Sequence, residues 1–432
     1  MTDDVAPTEV APTDLEGAPV DLAPPVVPLL QPRDGLPAVV ETSEELADCI
    51  ARFAAGTGPV AVDTERASGY RYGQRAYLVQ LRREGASTAL IDPVGCPDLT
   101  ALGEALADAE WVVHAASQDL PCLAEIGMRP RTLFDTELAG RLLGLPRVGL
   151  GPLVEALLGY GLAKEHSAVD WSTRPLPEPW LRYAALDVEV LVELREALGA
   201  LLAEQGKTGW AEEEFAALAA AEPPPARIDP WRRTSGLHRV RGPRQLATVQ
   251  ALWEARDAMA RRRDIAPGRI LSDAAIVDAA LAQPTSSEAL SKIPPFNGRA
   301  TRRSLSTWYA AVARAAALPE SALPAATLRS DAPPPARAWA DRDPEAADRL
   351  SAARAAVAAI ADEHQLPVEN LLSPDLFRRL AWAPPEPADR DAVAAFLRAG
   401  GAREWQIALT ATPIARAFER AALRRPAQAP QT

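Results

Sequence analysis

Cysteine is scarce in this 432-residue chain, limited to Cys49, Cys96 and Cys122. An odd count without metal-ligand spacing argues against a disulfide framework and against a cysteine-ligated zinc site, so all three read as reduced, structural residues. Long apolar runs are also missing, with nothing near the roughly 18 residues that a membrane helix needs. The opening MTDDVAPTEV carries acid where an export signal would carry base, and no apolar segment follows it. These absences make the cytoplasm the expected compartment. What is present, 48% hydrophobic and 24% charged residues, is ordinary for a globular protein. The length implies two or three cores joined by linkers.

Positive charge is short overall, at a net −12, which on its face argues against a polyanionic partner. The average conceals segregation. Residues 231–318 hold 15 Lys+Arg against 6 Asp+Glu, a local +9 that leaves −21 for the rest. A basic module beside an acidic one suggests that one grips a phosphate backbone while the other concentrates cations, although a solvated surface also produces such asymmetry.

Residues 1–36 are rich in Pro, Ala and acid without periodicity and are expected to form a disordered tail. From Pro59 the runs VAVDTE, AYLVQLRR and TALIDP read as strands, followed by WVVHAA as a buried strand and then by helices. The expected class is therefore α/β, with a mixed sheet in front of helices over 37–215, including one long helix from about Glu178 to Gln205. The Pro-rich stretch in 216–239 marks a linker, 240–318 an all-α bundle, 319–340 a second linker and 341–432 a further bundle, loosely a diverged repeat of the first.

Three features carry chemistry. Asp63 and Glu65 lie two apart at the end of an apolar strand, so both carboxylates project from one face. Asp119 follows the strand WVVH and opens a helix, a place where capping is the ordinary role. Tyr183 and Asp187, four apart, share a helical face. Each alone is ordinary, whereas the ordered set D-x-E, D, Y-x-x-x-D is rare by chance. That set resembles the three motifs of the DEDD exonuclease superfamily in its tyrosine-bearing branch. The flanking text VDTERA, VHAASQDLPCLAEIG, LFDTELAGRLLG and DWSTRPLPEPWLRYAALDVEVL resembles ribonuclease D over about residues 37–215.

The resemblance implies a ribonuclease H-like exonuclease domain whose Asp63, Glu65, Asp119 and Asp187 hold two divalent cations, Mg²⁺ or Mn²⁺. Hard cations do prefer carboxylate oxygens. In such a site one ion lowers the pKa of the attacking water and the other stabilises the leaving 3′-oxygen, releasing nucleoside 5′-monophosphates from RNA 3′ ends such as those of tRNA precursors. Tyr183 would orient the water. Residues 245–318 resemble the HRDC domain, a nucleic-acid-binding bundle, and 341–432 a second, less basic HRDC-like bundle. Lys292, Arg299, Arg302 and Arg303 are candidate phosphate contacts there, and Lys164 and Arg174 in the nuclease domain, with Gln80 and Trp171 behind them. His114 reads as a packed histidine and Asp135 as a helix cap. A DNA exonuclease, or a scaffold that binds nucleic acid without cutting it, would share much of this sequence.

Overall fold

The computed structural model describes residues 26–163, 166, 168–222, 225, 227–326 and 332–424. Among them a short parallel pair joins β1 (Val27–Leu29) to β8 (Tyr160–Leu162). A mixed six-stranded sheet is built from β2 (Val39–Val40), β3 (Thr57–Arg66), β4 (Ala76–Glu84), β5 (Ser87–Ile91), β6 (Glu110–Val113) and β7 (Thr132–Asp135). Its spatial order is β2-β5-β4-β3-β6-β7, with β3, β4 and β5 antiparallel neighbours and the outer pairings parallel.

Helices cover both faces of the sheet, which is why its central strands read as near-continuous apolar runs. Val60, Val62, Val79 and Leu81 pack beneath the helix Ser43–Ala55, whereas Ala61, Leu78, Leu90 and Val112 face the helix Glu178–Glu189 and its successor. The long helix expected over 178–205 is two helices, Glu178–Glu189 and Leu191–Glu204, with a break at Val190. The break serves two packing directions: Ala184, Ala185 and Val188 turn to the sheet, and Leu194, Leu198 and Leu202 join the neighbouring core.

Part of the expected disordered tail is ordered. Besides β1, Arg33 pairs with Glu193 and Asp34 with Arg82 at 2.9 Å. The run VPL finds a strand partner that composition could not reveal; residues 1–25 lie outside the described set. Both linkers are shorter than expected, because Trp231 and Trp339 are core residues of the bundles that follow them.

The two helical bundles attach differently. The last, led by the helix Pro344–Glu363, shares one apolar core with the nuclease domain: Phe134, Leu198 and Phe215 belong to the same cluster as Trp405 and Phe418. Trp210 stacks on Trp405 with centroids 4.8 Å apart, and the buried Lys207 ammonium donates to the carbonyls of Leu142 (2.8 Å) and His364 (2.7 Å). The middle bundle, led by the helix Pro243–Arg263, keeps its own core around Trp231, Leu252, Phe296 and Trp308. It meets the β3–β4 loop through polar contacts. The Tyr72 hydroxyl donates to Asp257 (3.0 Å), Ala266 N–H to the Tyr70 carbonyl (2.9 Å) and Arg269 to the Gly69 carbonyl (2.7 Å). The bundles share a local motif, an extended Leu271 or Leu372 followed by Ser272 or Ser373 capping the next helix.

Trp405→Ala should cost about 3–5 kcal/mol, the usual range for emptying a large buried aromatic position. Hydrogen exchange should quicken in the helix Leu191–Glu204 as well as in the last bundle, and stay unchanged in the core of the middle bundle.

Candidate active site

Strand β3 delivers Asp63 and Glu65 to one face of the sheet at its C-terminal end, and the helix Glu178–Glu189 lies over that face and brings Asp187 to them. Oxygens of these three carboxylates lie within 4.8 Å of one another. The phenol of Tyr183, one turn earlier, is hydrogen-bonded to Asp187. A cleft of about 360 Å³ opens on the group, lined by Asp63, His114, Leu150, Leu162, Tyr183 and Asp187.

Asp119 comes from the connection that follows β6. The β6 strand ends at Val113, Ala115 takes a left-handed conformation (φ 59°), and a short turn leads to Asp119. Asp135 holds that turn by accepting Ala115 N–H (3.1 Å) and Ala116 N–H (2.9 Å), while also capping its own helix through Glu137 and Leu138 N–H. Capping is therefore the role of Asp135. Asp119 makes no side-chain cap; it accepts the Thr64 hydroxyl at 2.7 Å and lies 3.7 Å from the Arg66 guanidinium. It stands outside the tight group of three, yet its charge still raises the pKa of Asp63 and Glu65.

Burial is the first cause of every carboxyl shift here. It pushes Glu65 up to about 10, reinforced by Asp63, Asp187 and Asp119, and raises Asp63 strongly, reinforced by Asp119 and Asp187. Asp187 rises to about 7 against the Tyr183 hydrogen bond, and Asp119 to about 6 against the Thr64 hydroxyl and Arg66. Tyr183 is driven upward by burial and by Asp187 and Glu65, which makes it an O–H donor in this setting. Several carboxylates in so small a space cannot all ionise without positive charge among them. An all-oxygen donor set of this kind suits a hard divalent cation.

Other sites of interest divide clearly. His114 lies on the cleft wall, which its sequence context does not reveal, but its Nδ1 is tied to the Thr136 hydroxyl at 2.9 Å and burial lowers its pKa to about 4. Arg174 is corrected from phosphate contact to loop anchor: all five donor positions are engaged, two on Asp92 (2.6 Å each) and three on the carbonyls of Tyr77, Trp171 and Thr173. Trp171 and Gln80 are fully buried, so neither can touch a phosphate or a base in this conformation. Lys164 lies outside the described residues. Lys292 pairs with Glu288 at 2.8 Å on an exposed face, whereas Arg299, Arg302 and Arg303 are exposed without a partner among the described residues. Sequence reasoning missed Thr64 and Arg66, although the text DTER places both beside the acids.

Comparison with known proteins agrees with this geometry. Residues 37–203 match a family model described as 3′-5′ exonuclease, 245–312 the HRDC domain, and 332–418 a model described as 3′ to 5′ exonuclease C-terminal domain. Ribonuclease D of Gluconacetobacter diazotrophicus is 31% identical over 81% of this chain and 87% of its own length. The chain belongs to the ribonuclease D family. A crystal structure of a protein from Bifidobacterium adolescentis aligns with TM-score 0.84 and 40% identity over 91% of this chain and 99% of that one. Escherichia coli RNase D, an exoribonuclease involved in structured RNA processing, aligns with TM-score 0.65 and 27% identity over 90% of this chain and 99% of that one. The protein is accordingly an exoribonuclease, of a family that implies divalent metal use, and Asp63, Glu65 and Asp187 form a cluster that could hold a metal ion. No helix among the described residues is long and apolar enough to cross a membrane.

His114→Gln should leave activity at neutral pH within about threefold, because the ring is neutral and hydrogen-bonded to Thr136. The folded-state pKa, about 4, lies below the unfolded value of 6.5, so proton uptake favours unfolding. Its stabilising effect is complete above pH 6.5 and is lost as pH falls toward 4. Acid unfolding curves should show the mutant losing less stability than wild type across that window.

Proposed function

We propose that the chain shortens RNA stepwise from the 3′ end by hydrolysis, releasing nucleoside 5′-monophosphates. In this reading Asp63, Glu65, Asp119 and Asp187 hold two divalent cations, Mg²⁺ or Mn²⁺. The observation that carries it is the convergence of Asp63, Glu65 and Asp187 within 4.8 Å beside Tyr183, with Asp119 held by Thr64 and Arg66 and close enough to raise the pKa of Asp63 and Glu65. When bound, the cations supply a lowered pKa for the water nucleophile and charge compensation at the leaving 3′-oxygen.

The residues of the chain do the positioning. Asp187 accepts the Tyr183 hydroxyl, which fixes the phenol at the cleft. From there Tyr183 orients the attacking water by hydrogen bonding. Arg66 and Thr64 hold the Asp119 carboxylate in place. Arg299, Arg302 and Arg303, with Lys292 and Lys164, would hold backbone phosphates, a sequence-independent grip. Substrates of the class of tRNA precursors, or other structured RNAs with 3′ tails, in the cytoplasm, fit a nuclease with an attached basic bundle. Supporting this is the likeness to a relative involved in structured RNA processing.

The deciding assay compares matched RNA and DNA single strands carrying free 3′ ends, with Mg²⁺, Mn²⁺ or EDTA, for wild type and Asp187→Asn. Expected are metal-dependent 3′ shortening of RNA and loss of activity on the order of a thousandfold in the variant, since a metal site supplies several kcal/mol of transition-state stabilisation. Asp187→Asn should also melt no lower than wild type in EDTA, because it relieves carboxylate crowding. Preference for DNA would favour a DNA exonuclease; binding without nucleotide release under either metal would favour a scaffold.

The triple variant Arg299→Ala, Arg302→Ala, Arg303→Ala should bind single-stranded RNA more weakly regardless of sequence. Its log-log salt slope should be shallower by about two, at roughly 0.7 for each phosphate no longer neutralised. An unchanged slope would remove these arginines from the interface.

A further inference from the structure

Gln80 stands in the middle of β4, fully buried, paired in register with Asp63 on β3 and with Leu90 on β5. Directly opposed residues of antiparallel strands present their side chains to the same face, with Cβ atoms roughly 4.5–5.5 Å apart. Gln80 therefore occupies the face that carries Asp63 and Glu65, beneath the helix that supplies Asp187. Its neighbours two residues away on that face are engaged: Leu78 packs in the cluster with Ala184 and Ala185, and Arg82 bonds to Asp34, Thr88 and Glu189. Neither Oε1 nor Nε2 of Gln80 has a hydrogen-bond partner among the described residues. A buried amide with both ends unpaired opposes folding, and an apolar residue of the same shape would suit a position that served packing alone.

We infer that Gln80 is a positioning residue for the metal-binding carboxylates: its amide N–H donates through one buried water to the Asp63 carboxylate, its register partner on β3. This deepens the reading of the site as a divalent-metal centre and rests on it. Groups behind a ligand that fix its orientation typically govern metal affinity by ten- to a hundredfold. The amide suits this place because it donates without adding charge to an already crowded acidic group, whereas a carboxylic acid would repel and a lysine would compete with the metal. Glu189 Oε2 is likewise buried without a hydrogen-bond partner, and the other oxygen of Glu189 pairs with Arg82, two residues along β4 from Gln80.

The test uses full-length Gln80→Leu and Gln80→Met, with Mn²⁺ affinity measured by calorimetry and melting temperature measured in EDTA. Both variants should bind Mn²⁺ ten- to a hundredfold more weakly, melt in EDTA at or above the wild-type temperature, and recover activity when Mn²⁺ is raised in proportion. Gln80→Met, unbranched and close in volume, guards against a packing defect in the leucine variant. Unchanged Mn²⁺ affinity, or a lower melting temperature in both variants, would overturn the inference and place Gln80 in the scaffold around Arg82 and Glu189. If wild type itself fails to bind Mn²⁺, or Asp63→Asn binds it equally well, the metal-centre reading fails instead.

Discussion

The repulsion among Asp63, Glu65, Asp119 and Asp187 is the constraint around which the nuclease domain is arranged. Like charges in a half-buried cleft oppose folding, and burial compounds the effect by disfavouring each ionised form. The surroundings answer locally: the Thr64 hydroxyl and Arg66 hold Asp119, and the Tyr183 hydroxyl holds Asp187. What these groups leave uncompensated is negative charge that a bound cation would offset. Such an arrangement sacrifices stability at one point for chemistry there, and requires a rigid frame that keeps the acids from separating.

That frame extends beyond the α/β domain. The last bundle closes the apolar surface formed by Phe134, Leu198 and Phe215, so the nuclease domain ends structurally near residue 418 although its sheet is complete by residue 135. Gly144 shows how close the union is: it adopts φ +71°, and a Cβ there would meet the Gln365 carbonyl oxygen at 2.1 Å. The middle bundle, by contrast, is inserted between these two halves of one core and joins the nuclease through hydrogen bonds and the Arg71–Asp264 ion pair at 3.6 Å.

That Asp63, Glu65, Tyr183 and Asp187 would come together was legible in the sequence because their spacing follows the strand and helix periods. The central strands were legible because burial on both faces leaves unbroken apolar text. The short edge strands β1, β2, β7 and β8 were not, since two to four residues carry too little periodicity and each exists through a partner distant in sequence. Arg174 misled for a related reason: a basic residue looks the same in text whether its donors meet phosphate or five oxygens of its own domain. Asp119 ran the other way, since its position promised an ordinary cap and the structure gives it Thr64 and Arg66 instead.

The β3–β4 loop joins these observations. It begins beside Arg66, which holds Asp119, and within six residues reaches Tyr72, which bonds to Asp257 and accepts from Arg261 of the middle bundle. Between them Arg71 donates to Ser172 at 2.7 Å, and Tyr70 donates to the Ala168 carbonyl at 3.3 Å, in the segment leading to the Tyr183 helix. One short stretch of backbone thus touches the acidic strand, the approach to the third motif and the basic bundle. A change in how the bundle seats must either strain this loop or release its polar contacts. Because those contacts are partly exposed hydrogen bonds with one ion pair, Arg71–Asp264, they weaken with salt more readily than the shared apolar core that fixes the last bundle.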